Sequence, residues 1–380
     1  MKKVLLTATV QSHICQFHKP LVEMLREKGY VIHVAAKNNL EEKNGLKLDF
    51  VDKIFDVPFS RSPKSSDNFK AYKILKKIIE EEKYYIIHCN TPMGGIVTRL
   101  AARKSRKMGT KVFYTAHGFH FYKGASKINW IIYYPIEKIF SKITDQIITI
   151  NHEDFELANK DFFCKTSYIH GVGVDNERYH PVTVEKKYEL KNELGLNDYS
   201  SIILCIGELL PNKNQKMIIK SMKEISEKYP KCLLLLAGNG PMKDNLEKQV
   251  KNLKLERNVI FLGYCTNLEK YQSACDIVVS CSRREGLPLN IVEAMLSANP
   301  VVATKNRGHC ELIKHGETGY LIDIDDVDKL HYYIDLLLSD YDKLLNIGYN
   351  AYYFAKSYSS EKVKEELEKI YFDILEGETK

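Results

Sequence analysis

The sequence predicts an α/β protein of two Rossmann-like domains facing each other across a cleft. Short apolar runs alternate with amphipathic helical stretches through both halves of the chain, the signature of parallel sheets covered on both faces. That alternation breaks off once, near residue 176, and restarts at Ser201. At 380 residues the chain is long enough to build two sizeable cores.

The first domain is expected over residues 1–175. Val4–Thr9 reads as a strand, and Ile14–Lys28 as one helix with Ile14, Phe17, Leu21, Val22 and Leu25 on a single face. Gly29 ends that helix, and Val31–Ala36 is the next strand. Further strands are read at Val51–Val57, Tyr84–His88, Lys111–Ala116 and Gln146–Ile150, separated by helices near Phe69–Lys83, Gly95–Lys107 and Asn129–Ser141. A charged, irregular linker is expected over 176–199. The second domain, 200–359, carries strands at Ile202–Ile206, Cys232–Ala237, Val259–Leu262, Ile277–Ser280 and Val301–Ala303, then becomes mostly helical past Asp323. A terminal helix over 360–380 has an apolar face of Val363, Leu367, Ile370 and Tyr371.

No run of about 18 apolar residues occurs, so no membrane-spanning helix is expected. The apolar start, Val4-Leu5-Leu6, soon meets Gln11, Ser12 and His13 and reads as a strand, not a signal peptide. Nine cysteines lie scattered without a Cys-x-x-Cys pair, several in strand-like runs (Cys89, Cys205, Cys232), which fits reduced core thiols in the cytoplasm. The net charge of +7 is uneven: residues 1–175 hold 28 Lys and Arg against 18 Asp and Glu. A basic first half points to an anionic partner, and an anionic membrane surface suits it. No nucleic-acid signature accompanies the charge.

The stretch with the most chemistry is Ser282–Met295, which follows the buried strand Ile277–Ser280. Gly286 permits a tight turn and close ligand approach, and Pro288 suits the start of a helix. Amides around Leu289, Asn290 and Ile291 are expected to point from the helix N-terminus as a phosphate seat. Glu285 lies before that seat and Glu293 eight positions on, so carboxylates frame it at both ends.

Glu-Gly-Leu-Pro followed by Glu-Ala-Met resembles the E-x7-E motif of the retaining family-4 glycosyltransferases of GT-B fold. The resemblance implies that Glu285 holds hydroxyls of a donor sugar and Glu293 the ribose, with Gly286, Leu287, Asn290 and Ile291 around the diphosphate. It covers essentially the whole chain. The string Gly207-Glu208-Leu209 with Lys213 is similar to the family's Gly-Arg-Leu…Lys element, so Lys213 is expected at the diphosphate. Glu208 departs from the arginine common there, which leaves Arg283, Arg284 and Arg307 as candidates to supply the charge. Gly238-Asn239-Gly240-Pro241 resembles the family's glycine turn and is assigned no chemistry. Gly263 and Tyr264 are expected to meet the base, taken as uracil. In GT-B relatives the terminal helix crosses back to the first domain, and 360–380 is expected to do so.

In the first domain, Tyr114–Phe121 closes a strand with His117-Gly118-Phe119-His120. The family places a histidine there in the cleft, which implies that His117 contacts the sugar. His120 and His13, which follows the first strand, are read as contacts to acceptor or phosphate. Asp323-Ile324-Asp325-Asp326 looks like a metal-binding Asp-x-Asp but precedes a helical stretch and is read as a cap. No metal site and no cofactor are expected. Arg99–Lys107, Arg61–Lys77 and Lys127–Pro135, which includes the only tryptophan, Trp130, are read as a membrane-facing set.

These readings combine into a metal-independent, retaining hexosyltransferase, peripheral on the inner face of the cell membrane. It is expected to move a sugar of N-acetylhexosamine type from a UDP-sugar to a polyprenyl-diphosphate-linked saccharide, because the His-Gly-Phe-His-Phe run and Trp130–Glu137 resemble bacterial capsule and exopolysaccharide transferases. Alternatives are a UDP-sugar 2-epimerase, which needs no acceptor, and a catalytically weak partner subunit, which binds no donor.

Overall fold

The computed structural model describes residues 1–41 and 45–376, with side chains to Asp373. The last four positions of the terminal segment 360–380 lie outside the described residues. The chain divides into two compact units, one of residues 1–173 with 360–380, the other of residues 174–359.

The first unit is a seven-stranded parallel sheet. Its strands are β1 (Lys3–Val10), β2 (Val31–Lys37), β3 (Lys53–Asp56), β4 (Ile86–Asn90), β5 (Lys111–Ala116), β6 (Gln146–Thr149) and β7 (Lys165–Tyr168), in the order β3-β2-β1-β4-β5-β6-β7. The central strands β1 and β4 read as unbroken apolar runs because helices cover both faces: Val4, Leu5, Leu6, Ile86 and Ile87 are all 0% exposed. The strand order reverses between β1 and β4, so a crevice opens beyond their carboxyl ends.

One expected helix is two. Residues Gln11–Phe17 and Lys19–Glu27 form separate helices that meet at His18. Pro20 has no amide to extend the first helix and instead occupies the opening turn of the second. The break turns the His18 side chain into the interior, where it is 4% exposed.

The second unit is a six-stranded parallel sheet with β8 (Ser201–Ile206), β9 (Cys232–Ala237), β10 (Val259–Gly263), β11 (Ile277–Ser280), β12 (Val301–Thr304) and β13 (Gly319–Ile322), in the order β10-β9-β8-β11-β12-β13. Its reversal falls between β8 and β11. Segment 176–199, expected as an irregular linker, belongs to this unit and contains the helix Val184–Glu193, capped by Thr183 through Lys186 N. Leu190 is its single buried side chain, and Lys187 and Lys191 pair with Asp276. Such a helix presents too little apolar periodicity to stand out in the sequence.

The helix Ser360–Glu376 packs within the first unit. Tyr371 OH lies 2.6 Å from His88 Nδ1, the carboxylate of Glu366 accepts from His170 N at 2.9 Å, and Glu368 and Lys364 pair with Lys28 and Glu27. All nine cysteines are free thiols, with Cys89, Cys205 and Cys232 buried. No described helix is long and apolar enough to cross a membrane.

Candidate active site

In the second unit, the loops after β8 and β11 meet beyond the sheet's reversal point. Arg283 N donates to Asn212 O at 2.8 Å and Asn212 Nδ2 donates to Arg284 O at 3.0 Å, which ties the two loops together. Lys213 Nζ and Glu285 Oε1, 72 residues apart in sequence, lie 2.6 Å apart with both side chains largely buried. The Glu285–Gly286 loop is held from below by the short helix Arg307–Leu312, whose Gly308 has no room for a side chain: a Cβ there would lie 2.5 Å from Gly286 O. His309 locks that helix, its buried ring 2.6 Å from Thr304 O and 3.1 Å from Ser280 Oγ. Burial takes the His309 pKa down to about 4, so it serves as a neutral strut.

The residues expected around the diphosphate divide. Gly286 and Leu287 lie on the loop beside Glu285, while the Asn290 side chain is spent on the scaffold, donating to Ile206 O at 3.0 Å. Ile291 is buried and its amide donates to Pro288 O at 3.1 Å, so it is not one of the outward-pointing amides. The first turn tightens to an i→i+3 bond, which uses a donor that a regular α-turn leaves open. Arg283 is partly committed, with both Asp325 oxygens 2.7 Å from its Nη2, so the Asp325 carboxylate competes with a phosphate for this guanidinium. Arg307 opens the short helix below the loop, and Arg284 is exposed.

Glu293 occupies a different environment, inside the helix Leu289–Leu296 that follows this loop. Burial raises its carboxyl pKa to about 7, Arg178 opposes that rise and Glu269 adds to it. Arg178 is itself clamped by Glu269 Oε2 at 3.0 Å from its Nε and by Thr266 O at 2.9 Å from its Nη2. Nothing in the sequence pattern singled out Arg178. Gly263 has φ +70° and its carbonyl accepts from Gly238 N at 2.7 Å, while the Tyr264 side chain is 56% exposed. Gly238 is a packing requirement: a Cβ there would stand 2.1 Å from Gly207 O.

In the first unit, the ends of β1, β4 and β5 gather at the reversal point. His13 Nε2 and His117 Nε2 lie 3.2 Å apart, and Asn90 Oδ1 is 3.4 Å from His117 Nε2. His18, not singled out by the sequence, completes the group: one ring nitrogen of each histidine lies within 4.8 Å of the others. No local spacing announces such a metal-competent set, because the third member lies 99 positions beyond the second. Burial holds all three rings below the ordinary histidine range, His117 at about 4. Thr91, at the end of β4, sits in the left-handed region with φ 62° and bonds back to Thr9 Oγ1 at 2.7 Å, a strained residue at the centre of the crevice.

A cavity of about 590 Å³ opens beside these residues, lined by His13, Arg61, His120, Ile132, Ile136 and Glu137 among others. His120 stacks on Tyr133 at 4.7 Å, and Glu137 at the wall pairs with fully buried Arg99 at 2.8 Å.

The basic run 99–107 is not a single docking face. Arg99 is buried on Glu137, Arg106 is paired with Asp145 at 2.9 Å, and Lys104 reaches Glu80 at 3.6 Å. Trp130 is a half-buried packing residue whose indole N–H donates to Tyr122 O at 3.2 Å and whose ring meets Phe121 at 5.6 Å. The apolar surface of its helix, Lys127–Phe140, comes instead from Ile128, Ile131 and Ile139, which are 66%, 72% and 63% exposed. Asp326 caps the helix Val327–Ser339, its Oδ1 accepting from Lys329 N at 3.0 Å.

Two family models match the chain: "Glycosyl transferase 4-like" over residues 3–151 and "Glycosyl transferases group 1" over residues 186–354. The chain is 39% identical to the putative glycosyltransferase EpsD of Bacillus subtilis, over 100% of this chain and 98% of that protein. It is 29% identical to the UDP-Gal:alpha-D-GlcNAc-diphosphoundecaprenol alpha-1,3-galactosyltransferase of Escherichia coli, over 86% of this chain and 84% of that one. Its fold matches that of Anabaena HepE, solved in complex with UDP, with TM-score 0.77 and 21% identity over 98% and 99% of the two chains.

Proposed function

The chain belongs to the group 1, family-4-like glycosyltransferases of GT-B fold, and on that premise we propose that it transfers a hexose of N-acetylhexosamine type from a UDP-sugar to a polyprenyl-diphosphate-linked saccharide, retaining the anomeric configuration, in the assembly of a bacterial capsule or exopolysaccharide. The observation that carries this reading is the Lys213–Glu285 pair beyond the reversal point of the second sheet. A cation beside a carboxylate there matches the two needs of a nucleotide sugar, charge for the diphosphate and an acceptor for sugar hydroxyls.

In the proposed reaction the bond between the anomeric carbon and the diphosphate oxygen breaks while the acceptor oxygen bonds to the same face. The acceptor proton passes to the departing diphosphate. Lys213 Nζ carries three donors, so it can keep one on Glu285 and give others to the developing charge. Glu285 orients the sugar, Glu293 takes the ribose hydroxyls, and His117, held neutral, offers its ring to a sugar hydroxyl. Gly263 and Tyr264 meet the uracil, and His13 and His120 serve the acceptor side, where the cavity beside them has room for a saccharide. A lipid-linked acceptor requires work at the membrane. We assign that contact to Ile128, Ile131 and Ile139 with the flanking exposed Lys127 and Lys142.

Calorimetric titration of the intact protein with UDP and a panel of UDP- and GDP-sugars tests the donor. Binding of one UDP-N-acetylhexosamine in preference to the GDP-sugars is the expected result, followed by release of UDP only when a polyprenyl-diphosphate saccharide is added. Preference for a GDP-sugar, or interconversion of UDP-sugars without acceptor, would overturn the reading.

A further inference from the structure

We propose that His13, His18 and His117 form a binding site for a single zinc ion. Three observations carry it. One ring nitrogen of each residue lies within 4.8 Å of the others, drawn from the chain after β1, the break between the first two helices and the end of β5. The 3.2 Å between His13 Nε2 and His117 Nε2 is close to the roughly 3.3–3.4 Å that separates two nitrogens bound to one tetrahedral zinc at about 2.0–2.1 Å. Finally, His18 Nε2 is buried with no hydrogen-bond partner among the described residues. A buried polar atom without a partner is costly, and a metal ion would satisfy it.

The donor set selects the ion. Three imidazoles without a carboxylate suit zinc and its late transition-metal neighbours and do not suit magnesium or calcium, which take oxygen ligands. His13 also lines the 590 Å³ cavity, which provides an entry path, and three histidines leave a four-coordinate zinc one further ligand to find. Three protein nitrogens and one open position make a site that can take water, or an oxygen of a molecule in the cavity.

The experiment is a cobalt titration of the intact, chelator-treated protein. One equivalent of Co²⁺ should give the visible d–d absorption of a tetrahedral nitrogen site without thiolate-to-cobalt charge transfer, and one equivalent of Zn²⁺ should bleach it. His13→Asn, a smaller polar replacement at a half-buried position, should fold as judged by circular dichroism and weaken Co²⁺ binding by at least ~10-fold. No tetrahedral absorption in the wild type, meaning the histidines share only a hydrogen bond, would overturn the site, as would an absorption that His13→Asn leaves unchanged. A charge-transfer band would also overturn it, since it assigns the ion to a thiolate such as exposed Cys310. Should His13→Asn fail to fold, the zinc-dependent rise in wild-type Tm decides, because a site in the native state stabilises by mass action and an absent one does not.

Discussion

Lys213 and Glu285 neutralise one another across 2.6 Å, so the free protein stores the two charges it would give to a donor as an internal ion pair. That arrangement makes the pair's two members separable by experiment. Lys213→Ala removes charge from the diphosphate and should weaken UDP binding ~10-fold or more, since a charge-assisted hydrogen bond is worth about 1.5–3 kcal/mol. Glu285→Ala should leave UDP affinity equal or higher, because Lys213 is released from its partner, while turnover of the UDP-sugar falls by at least the same factor. Calorimetry with UDP and steady-state transfer rates check both. Wild-type UDP affinity in Lys213→Ala would remove the lysine from the diphosphate.

Glu293 yields a prediction in pH. Its carboxyl titrates at about 7 in the folded chain, against an ordinary 4.5, chiefly through burial. A carboxyl raised on folding contributes stability that is complete below its unfolded value and lost as pH rises through its folded one. Between those two values the loss reaches at most about 1.4 kcal/mol per pH unit. Glu293→Gln keeps the neutral form at every pH. The variant should therefore match wild type in Tm near pH ~5 and exceed it near pH ~8, while binding UDP ~10-fold less tightly at the higher pH because a neutral amide oxygen replaces the charged carboxylate acceptor. A Tm difference that does not grow with pH would show that Arg178 already compensates the charge fully.

The double parallel sheet was legible because its central strands are unbroken runs such as Leu233-Leu234-Leu235-Leu236, all 0% exposed. Of the four edge strands, β3 and β10 were read and β7 and β13 were not. The β7 segment Lys-Thr-Ser-Tyr and the β13 segment Gly-Tyr-Leu-Ile are short, and β7 is polar on both faces, so neither carries a period that sets it apart from a loop. Pro20 announced the helix break at His18, yet the surrounding apolar spacing concealed it. Within the candidate site, Glu285, Lys213 and His117 were visible as residues at strand ends. Their partnerships were not, because Lys213 meets Glu285 and His13 meets His117 only through sheet topology, which no local pattern encodes. Arg178 lay in a segment read as irregular, and it is held beside Glu293 by Glu269 and Thr266, partners 91 and 88 positions away that no local pattern reveals.

Asp323–Asp326 and the three histidines together predict how metals act on turnover. Asp325 is occupied by Arg283 and Asp326 by the helix cap, so neither is available as a catalytic metal ligand. Transfer should persist in excess EDTA. Added zinc should inhibit, since occupancy of His117 removes the lone pair offered to the sugar, and EDTA should restore the rate. His13→Asn should blunt the inhibition. Activation by magnesium or manganese after chelation would contradict the metal-independent reaction.

The last prediction concerns the membrane. On the helix Lys127–Phe140, Ile128, Ile131 and Ile139 are exposed while Trp130 is packed against Phe121 and bonded to Tyr122 O. Isolated exposed apolar residues are ordinary on a soluble surface, but three branched side chains on one helix, flanked by Lys127 and Lys142, suit an interface that is apolar below and anionic above. The two contributions respond differently to salt. Lysine attraction, about 1 kcal/mol per side chain, fades within a Debye length of about 8 Å at physiological ionic strength, whereas isoleucine burial does not. Flotation with liposomes rich in anionic lipid should show binding that falls with salt to a residual level, and Ile128→Ser with Ile131→Ser should abolish that residue without lowering Tm. Trp130→Ala should act in the opposite way, lowering Tm through the lost packing. Binding that vanishes entirely with salt would leave charge as the whole attraction, and indifference to both lipid types would detach the proposed lipid-linked acceptor from this helix.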